Sequence, residues 1–136
     1  VAVADAGDVE RLGLDPERLW LGIGSGTMHP QLDAVQRAVS ELRGLLPTSR
    51  IVVGAIRAQL ARLGGAIGDA VLLNWMLPTT ATAAGRWVHE GAEKAGRAAP
   101  TVALYVRVAV GEGAGQRLCA EESRYREISD GQRRHF

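Results

Sequence analysis

Ile51-Val52-Val53-Gly54 and, further on, Asp69-Ala70-Val71-Leu72-Leu73-Asn74-Trp75 are short apolar runs, and the segment between them carries Ile56, Leu60 and Leu63 at helical spacing up to Gly64-Gly65. Runs of this length, continuous rather than alternating and in the first case rich in β-branched residues, read as strands buried on both faces. A helix between two such strands is a parallel β/α unit. Working outward, the same beat repeats. Upstream, Arg18-Leu19-Trp20-Leu21-Gly22-Ile23 is a strand ended by Gly24-Ser25-Gly26-Thr27. It is followed by a helix whose apolar face is Leu32, Val35, Val39, Leu42 and Leu46, closed by Pro47. Downstream, Pro78 and Thr79 to Thr82 lead into a helix carrying Trp87, Val88 and Ala92, which ends near Gly96. Thr101 to Val110 then reads as the fourth and longest strand, before a last helix from about Ala114 to about Tyr125. Four parallel β/α units result, with no low-complexity segment and no inter-domain linker. Periodicity alone fits either an open doubly wound sheet or a sector of a β/α barrel. The chain opens within what reads as a helix and closes without a polar tail. That favours the barrel sector, with residues 1–136 as one partial domain.

Composition narrows the function classes. Sixteen Lys and Arg against fifteen Asp and Glu give a net charge of +1, which argues against nucleic acid or an anionic membrane surface as partner. Hydrophobic residues make up 46% of 136 residues, enough for one packed core. Lys94 is the sole lysine beside fifteen arginines, a composition bias without functional weight. Cys119 stands alone, so no disulfide framework is expected and a reducing, cytoplasmic setting is. No apolar run reaches the ~18 residues of a membrane span, and no leader-like segment opens the chain.

The turn Gly22-Ile23-Gly24-Ser25-Gly26-Thr27 invites comparison with a dinucleotide-binding fingerprint. Thr27 holds the place of the third glycine, and Gly54-Ala55 stand where an acidic residue should end the next strand. The comparison fails on both points. What remains is a glycine- and serine-bearing turn at the carboxyl end of a parallel strand, where bare N–H groups suit a phosphate.

Leu21-Gly22-Ile23-Gly24-Ser25-Gly26 resembles the "LGvGsG" segment of the luciferase-like monooxygenase family, whose members use flavin or the deazaflavin coenzyme F-420. Val53 to Trp75 resembles that family's "vGAlGPrmlrLAGeiADGvlLnw", and Glu90-Gly91-Ala92-Glu93-Lys94-Ala95-Gly96-Arg97 its "eGAaaAGR" helix end. Tyr105-Val106-Arg107-Val108 is similar to its following strand. The series spans nearly the whole chain. It implies a TIM-type (β/α)8 barrel of which this chain supplies strands four to seven. It also implies an oxidoreductase that performs hydride transfer or monooxygenation on a small-molecule substrate through a bound cofactor. Only Pro47-Thr48-Ser49 precedes the strand at Ile51, where the family usually carries a hairpin. That short connection points to coenzyme F-420, with FMN as the alternative.

Carried over residue by residue, the resemblance implies cofactor contacts at Gly24, Ser25 and His29, and around the phosphate at Ala55, Ile56, Arg57 and Gln59. Arg57-Ala58 replace the family's Gly-Pro. The loss of glycine removes close backbone approach, but a guanidinium can pair with phosphate directly. Asn74 and Trp75 end a strand on the functional face of a barrel and are the candidate substrate pocket. Gly24 is expected to have a backbone geometry or clearance that no side chain tolerates. No catalytic residue can be named, since the family draws such groups from other strands.

Other residues read more plainly. His29, His89 and His135 are too isolated for a metal site, and no His/Cys/Asp/Glu cluster has metal-ligand spacing. Asp69 reads as a turn or capping residue, and Cys119 as a small buried hydrophobe. Arg107, inside an apolar strand, demands a partner that the sequence does not reveal. Four strands cannot close an eight-stranded barrel. Val53, Leu72 and Val106 are therefore expected on an open inner face, covered by self-association or by the remainder of the barrel. The competing classes are a truncated, non-catalytic β/α binding or assembly module and an open-sheet nucleotide-binding domain.

Overall fold

Apolar strands and amphipathic helices alternate in the computed structural model, which describes residues 11–24, 32–74 and 76–127. After a 3-10 turn at Pro16–Arg18 come β1 (Trp20–Ile23), α1 (Leu32–Leu45), β2 (Arg50–Ala55), α2 (Ala58–Ile67) and β3 (Ala70–Asn74). α3 (Pro78–Lys94), β4 (Thr101–Tyr105) and α4 (Ala114–Glu127) follow. The strands form one open, four-stranded sheet in the order β1-β2-β3-β4, parallel at each junction. The order never reverses. Crossovers of one hand repeated in one direction stack their helices on one face of a sheet.

Burial agrees with that reasoning. Ile51, Val53 and Ala55 alternate along β2, and Val71 and Leu73 lie beside them on β3. All are buried against Val35 and Val39 of α1, Leu60 and Ala61 of α2, and Ala84 and Val88 of α3. The opposite face is largely uncovered: Trp20, Gly22, Leu72 and Tyr105 are exposed, and Val52, Gly54 and Asn74 half-buried, although Ala70 at the start of β3 is buried. The expectation of a sheet buried on both faces therefore holds for one face among the described residues. Val53 is also corrected. Side chains alternate across a strand, and Leu72 pairs with Gly54, so Val53 points the other way, into the helix-covered core at 0% exposure. Leu72 and Val106 are exposed as expected.

Two further expectations change. Gly64-Gly65 do not end a helix; they lie inside α2, which runs on to Ile67. A Cβ on Gly64 would stand 2.9 Å from Val71 Cγ2, one on Gly65 would overlap the Val88 carbonyl, and one on Gly91 would overlap that of Arg62. These glycines bring α2 against the sheet and α2 and α3 against each other, backbone to backbone. The fourth strand stops at Tyr105, which pairs with Asn74 of β3, and does not run on to Val110. Each residue of β4 is exposed, and Val106, Val108 and Val110 follow it in the open. At the end of α3, Gly96 adopts a φ of 65°, with Gly96 N–H donating to Glu93 O and Arg97 N–H to Ala92 O. That is the left-handed stop that glycine permits.

Candidate functional site

Because the strands are parallel, their carboxyl ends share one rim of the sheet, and the register sets what meets there. Ile23 lies beside Val53, Ala55 beside Leu73, and Asn74 beside Tyr105. Gly24 follows β1 directly, Ala55 ends β2, Ile56 and Arg57 lead from β2 into α2, and Gln59 is in its first turn. The rim therefore gathers Gly24, Ala55, Ile56, Arg57, Gln59 and Asn74 at one end. Ser25, His29 and Trp75 lie outside the described residues.

Each position offers something different. Ala55 is buried in the core beneath the helices, so its side chain is withdrawn from the rim. Ile56 is half-buried, and Arg57 and Gln59 are exposed. Arg57 is the N-cap of α2 in extended conformation, without a side-chain capping bond, and its carbonyl accepts the first helical bond, from Ala61 N–H at 2.9 Å. The N–H groups of Ala58, Gln59 and Leu60 precede that bond and have no acceptor within the helix. Together with the Arg57 guanidinium they form a donor set whose chemistry suits a phosphate. On the uncovered side, Asn74 Oδ1 is buried with no hydrogen-bond partner among the described residues.

Gly24 departs from expectation. Its φ is not left-handed, and a Cβ there would meet nothing within 4 Å among the described residues. Gly54, beside it on β2, would bring a Cβ only to an ordinary 3.6 Å from Ile23 O. At Gly24 itself there is room for a side chain and no backbone strain.

Two clusters were not legible in the sequence. At the opposite, amino-terminal end of the sheet, Asp69 Oδ2 accepts from Ile51 N–H at 2.8 Å and Oδ1 from Arg43 Nη2 at 2.9 Å. Arg43 also donates to Ile67 O, and Arg97 Nη1 donates to Ala66 O. Burial pushes the Asp69 carboxyl up. The hydrogen bonds from Arg43 and Ile51 and the charges of Arg43 and Arg97 outweigh it and hold the pKa below the usual aspartate value. Asp69 is thus the structural residue the sequence suggested, tying α1, β2 and the start of β3 together. Beyond β4, Arg107 Nη1 meets Glu121 Oε2 at 2.7 Å, and its guanidinium lies 5.8 Å from the Tyr105 ring centre. With Val108, Arg117 and Leu118 these residues line a shallow cleft of about 360 Å³. Glu121 is the partner that Arg107 required. No spacing rule links them, since α4 must fold back to supply the carboxylate.

Cys119 is exposed and not buried as expected. Among the described residues no group of three or more His, Cys, Asp or Glu could hold a metal ion, and no helix is long and apolar enough to cross a membrane. No family model matches the chain, and no curated protein matches it.

Proposed function

We propose that the chain is a sector of a (β/α)8 barrel from an oxidoreductase of the luciferase-like type, and that the rim at Gly24, Ile56, Arg57 and Gln59 holds the phosphate of a deazaflavin, coenzyme F-420, or of FMN. The observation that carries this reading is the start of α2. Its first N–H groups, lacking a side-chain cap, share the carboxyl-end rim with Gly24 at the end of β1 and with Arg57. Two features of the sheet support it. Among the described residues the strand order has no reversal, and so none of the crevice at which open doubly wound sheets bind nucleotides. Across the uncovered face, Leu72 sits between Gly54 and Ala103 in register. Large beside small on alternate strands is how a narrow barrel interior is filled.

In this reading the cofactor supplies the redox chemistry, as carrier of a hydride or activator of oxygen, on a small-molecule substrate. The protein positions it. The N–H groups of α2 and the Arg57 guanidinium hold the phosphate, and Gly24 leaves space for it to approach. Asn74 offers an acceptor on the barrel-interior side. The exposure of each β4 residue favours a second reading, a non-catalytic β/α assembly module. Absorbance of the purified protein, followed by fluorescence titration with coenzyme F-420 and with FMN, separates the two. A co-purifying chromophore or a saturable change that inorganic phosphate competes away supports the oxidoreductase. No saturable change with either cofactor refutes it.

A further inference from the structure

Register decides which side chains share the uncovered face where the strands end. Side chains alternate along a strand, so Leu72 and Asn74 of β3 lie on that face, and their partners Ala103 and Tyr105 of β4 point the same way. Toward β1 and β2 the face carries glycine: Gly54 is in register with Leu72, and Gly22 with Val52. That half adjoins the donor set at the start of α2. The β3–β4 end differs in kind. A carboxamide and a phenol stand side by side there, next to Leu72 and Ala103, and none of the four is a charged group. The first charge beyond them along the chain is Arg107, which Glu121 Oε2 meets at 2.7 Å. Arg117 donates from Nη1 and Nη2 to the carbonyls of Glu112 and Val110.

Asn74 adds a direction. Its Oδ1 is buried with no hydrogen-bond partner, and an acceptor shut off from water and left unbonded is costly. The residue as a whole is only half-buried, and the terminal torsion of asparagine is broad, so a turn of the carboxamide presents the oxygen to a ligand. Tyr105, half exposed beside it, has a hydroxyl that both donates and accepts. An anion at this end would give up its hydration for cations whose charge or donors are already engaged, which is unfavourable. A neutral molecule with a donor group loses little and satisfies Asn74. We infer that the β3–β4 end of the face binds an uncharged, largely apolar substrate whose hydroxyl or N–H group donates to Asn74 Oδ1. Tyr105 is its second polar contact, and Leu72 and Ala103 are its apolar floor. The inference deepens the oxidoreductase reading and rests on it for the ligand's role as substrate. It does not depend on what closes the sheet, because register alone makes these four residues neighbours.

Cyclohexanol and cyclohexanecarboxylate, alike in apolar body and unlike in charge, are suitable probes. Each is titrated into the isotope-labelled full chain at neutral pH, with amide chemical shifts read by NMR. Cyclohexanol should shift the Asn74 side-chain amide and the backbone amides of Leu72 and Tyr105 saturably. The carboxylate should bind at least about tenfold more weakly. Asn74→Leu should weaken cyclohexanol about fivefold. Tyr105→Arg, at an exposed position that spares the core, should turn the preference toward the carboxylate with the circular dichroism spectrum unchanged. Three results overturn the inference. Carboxylate binding as tight as that of the alcohol makes this end an anion site. Cyclohexanol affinity indifferent to Asn74→Leu removes the carboxamide from the site. No saturable shift with either probe leaves no substrate site here. Titration with coenzyme F-420 and FMN is scored separately. Its failure beside intact cyclohexanol selectivity refutes the cofactor reading, whereas saturable cofactor binding without that selectivity refutes this inference alone.

Discussion

Replacing glycine by alanine at three positions of two helices should give opposite results, and the difference measures how closely α2 and α3 approach. Gly85 and Gly91 both lie in α3. An alanine in either place gains about 0.5–1 kcal/mol of helix propensity over glycine. At Gly85 a Cβ meets nothing within 4 Å among the described residues, so Gly85→Ala should keep that gain and raise the thermal midpoint by about 2–6 °C for a chain of this size. At Gly91 the same atom would lie 2.7 Å from the Arg62 carbonyl carbon and 2.8 Å from its Cα, and closer still to its oxygen. At Gly65 it would lie 2.9 Å from the Val88 carbonyl carbon. The obstacle in both cases is helix backbone, which cannot swing aside as a side-chain tip can, so the helices must part. Overpacking of this kind costs about 1–3 kcal/mol or more. Gly65 and Gly91 lie at the upper end, because parting the helices also loosens the contacts of Ala61, Ala84 and Val88. The net effect should be about 2 kcal/mol of destabilisation for Gly65→Ala and Gly91→Ala, against a small stabilisation for Gly85→Ala. Urea unfolding followed by circular dichroism reads all three. A Gly91→Ala midpoint equal to or above that of Gly85→Ala would refute the close helix crossing.

Asp69→Asn should destabilise by about 2–3 kcal/mol, since the Arg43 bond is charge-assisted and the charge is lost. The same carboxyl makes stability fall in acid. Its folded pKa lies below the unfolded value of about 3.9, so its contribution is present above that value and is lost as pH falls through the folded pKa. Parent and Asp69→Asn unfolding curves should therefore converge as pH falls through the folded pKa and diverge toward neutrality; a constant gap between acid and neutral pH would contradict the assignment. Arg57→Ala should weaken cofactor phosphate binding by about 1–3 kcal/mol, 5- to 150-fold in a fluorescence titration. Affinity unchanged at low and high salt would reduce Arg57 to a surface charge. Glu90→Gln, which breaks the 2.7 Å pair with Arg62, should cost under about 1 kcal/mol because both side chains are more than a third exposed. A larger loss by denaturant titration would mean that the pair helps set the α2–α3 crossing.

The local periodicities of the chain determined its elements. Ile51 to Gly54 and Ala70 to Asn74 are strands because short, continuous apolar runs suit a parallel sheet, and Val35 and Val39 face the core because helical spacing puts them on one side. The rim was legible to the same extent, since the end of a parallel strand and the start of the next helix are sequence neighbours. That is why Gly24, Ile56 and Arg57 fall together. Contacts between distant segments were decided by tertiary structure alone. Gly64-Gly65 looks like a helix stop in isolation and becomes a packing surface only when Val71 and Val88 lie against it. Thr101 to Val110 is largely apolar, yet the strand it forms runs only to Tyr105, which pairs with Asn74. Val53 and Leu72 have the same strand character, and only the register between β2 and β3 sends one into the core and the other into the open. Composition and period act along the chain, whereas register, crossing distance and the partner of a half-buried arginine depend on what the fold brings alongside.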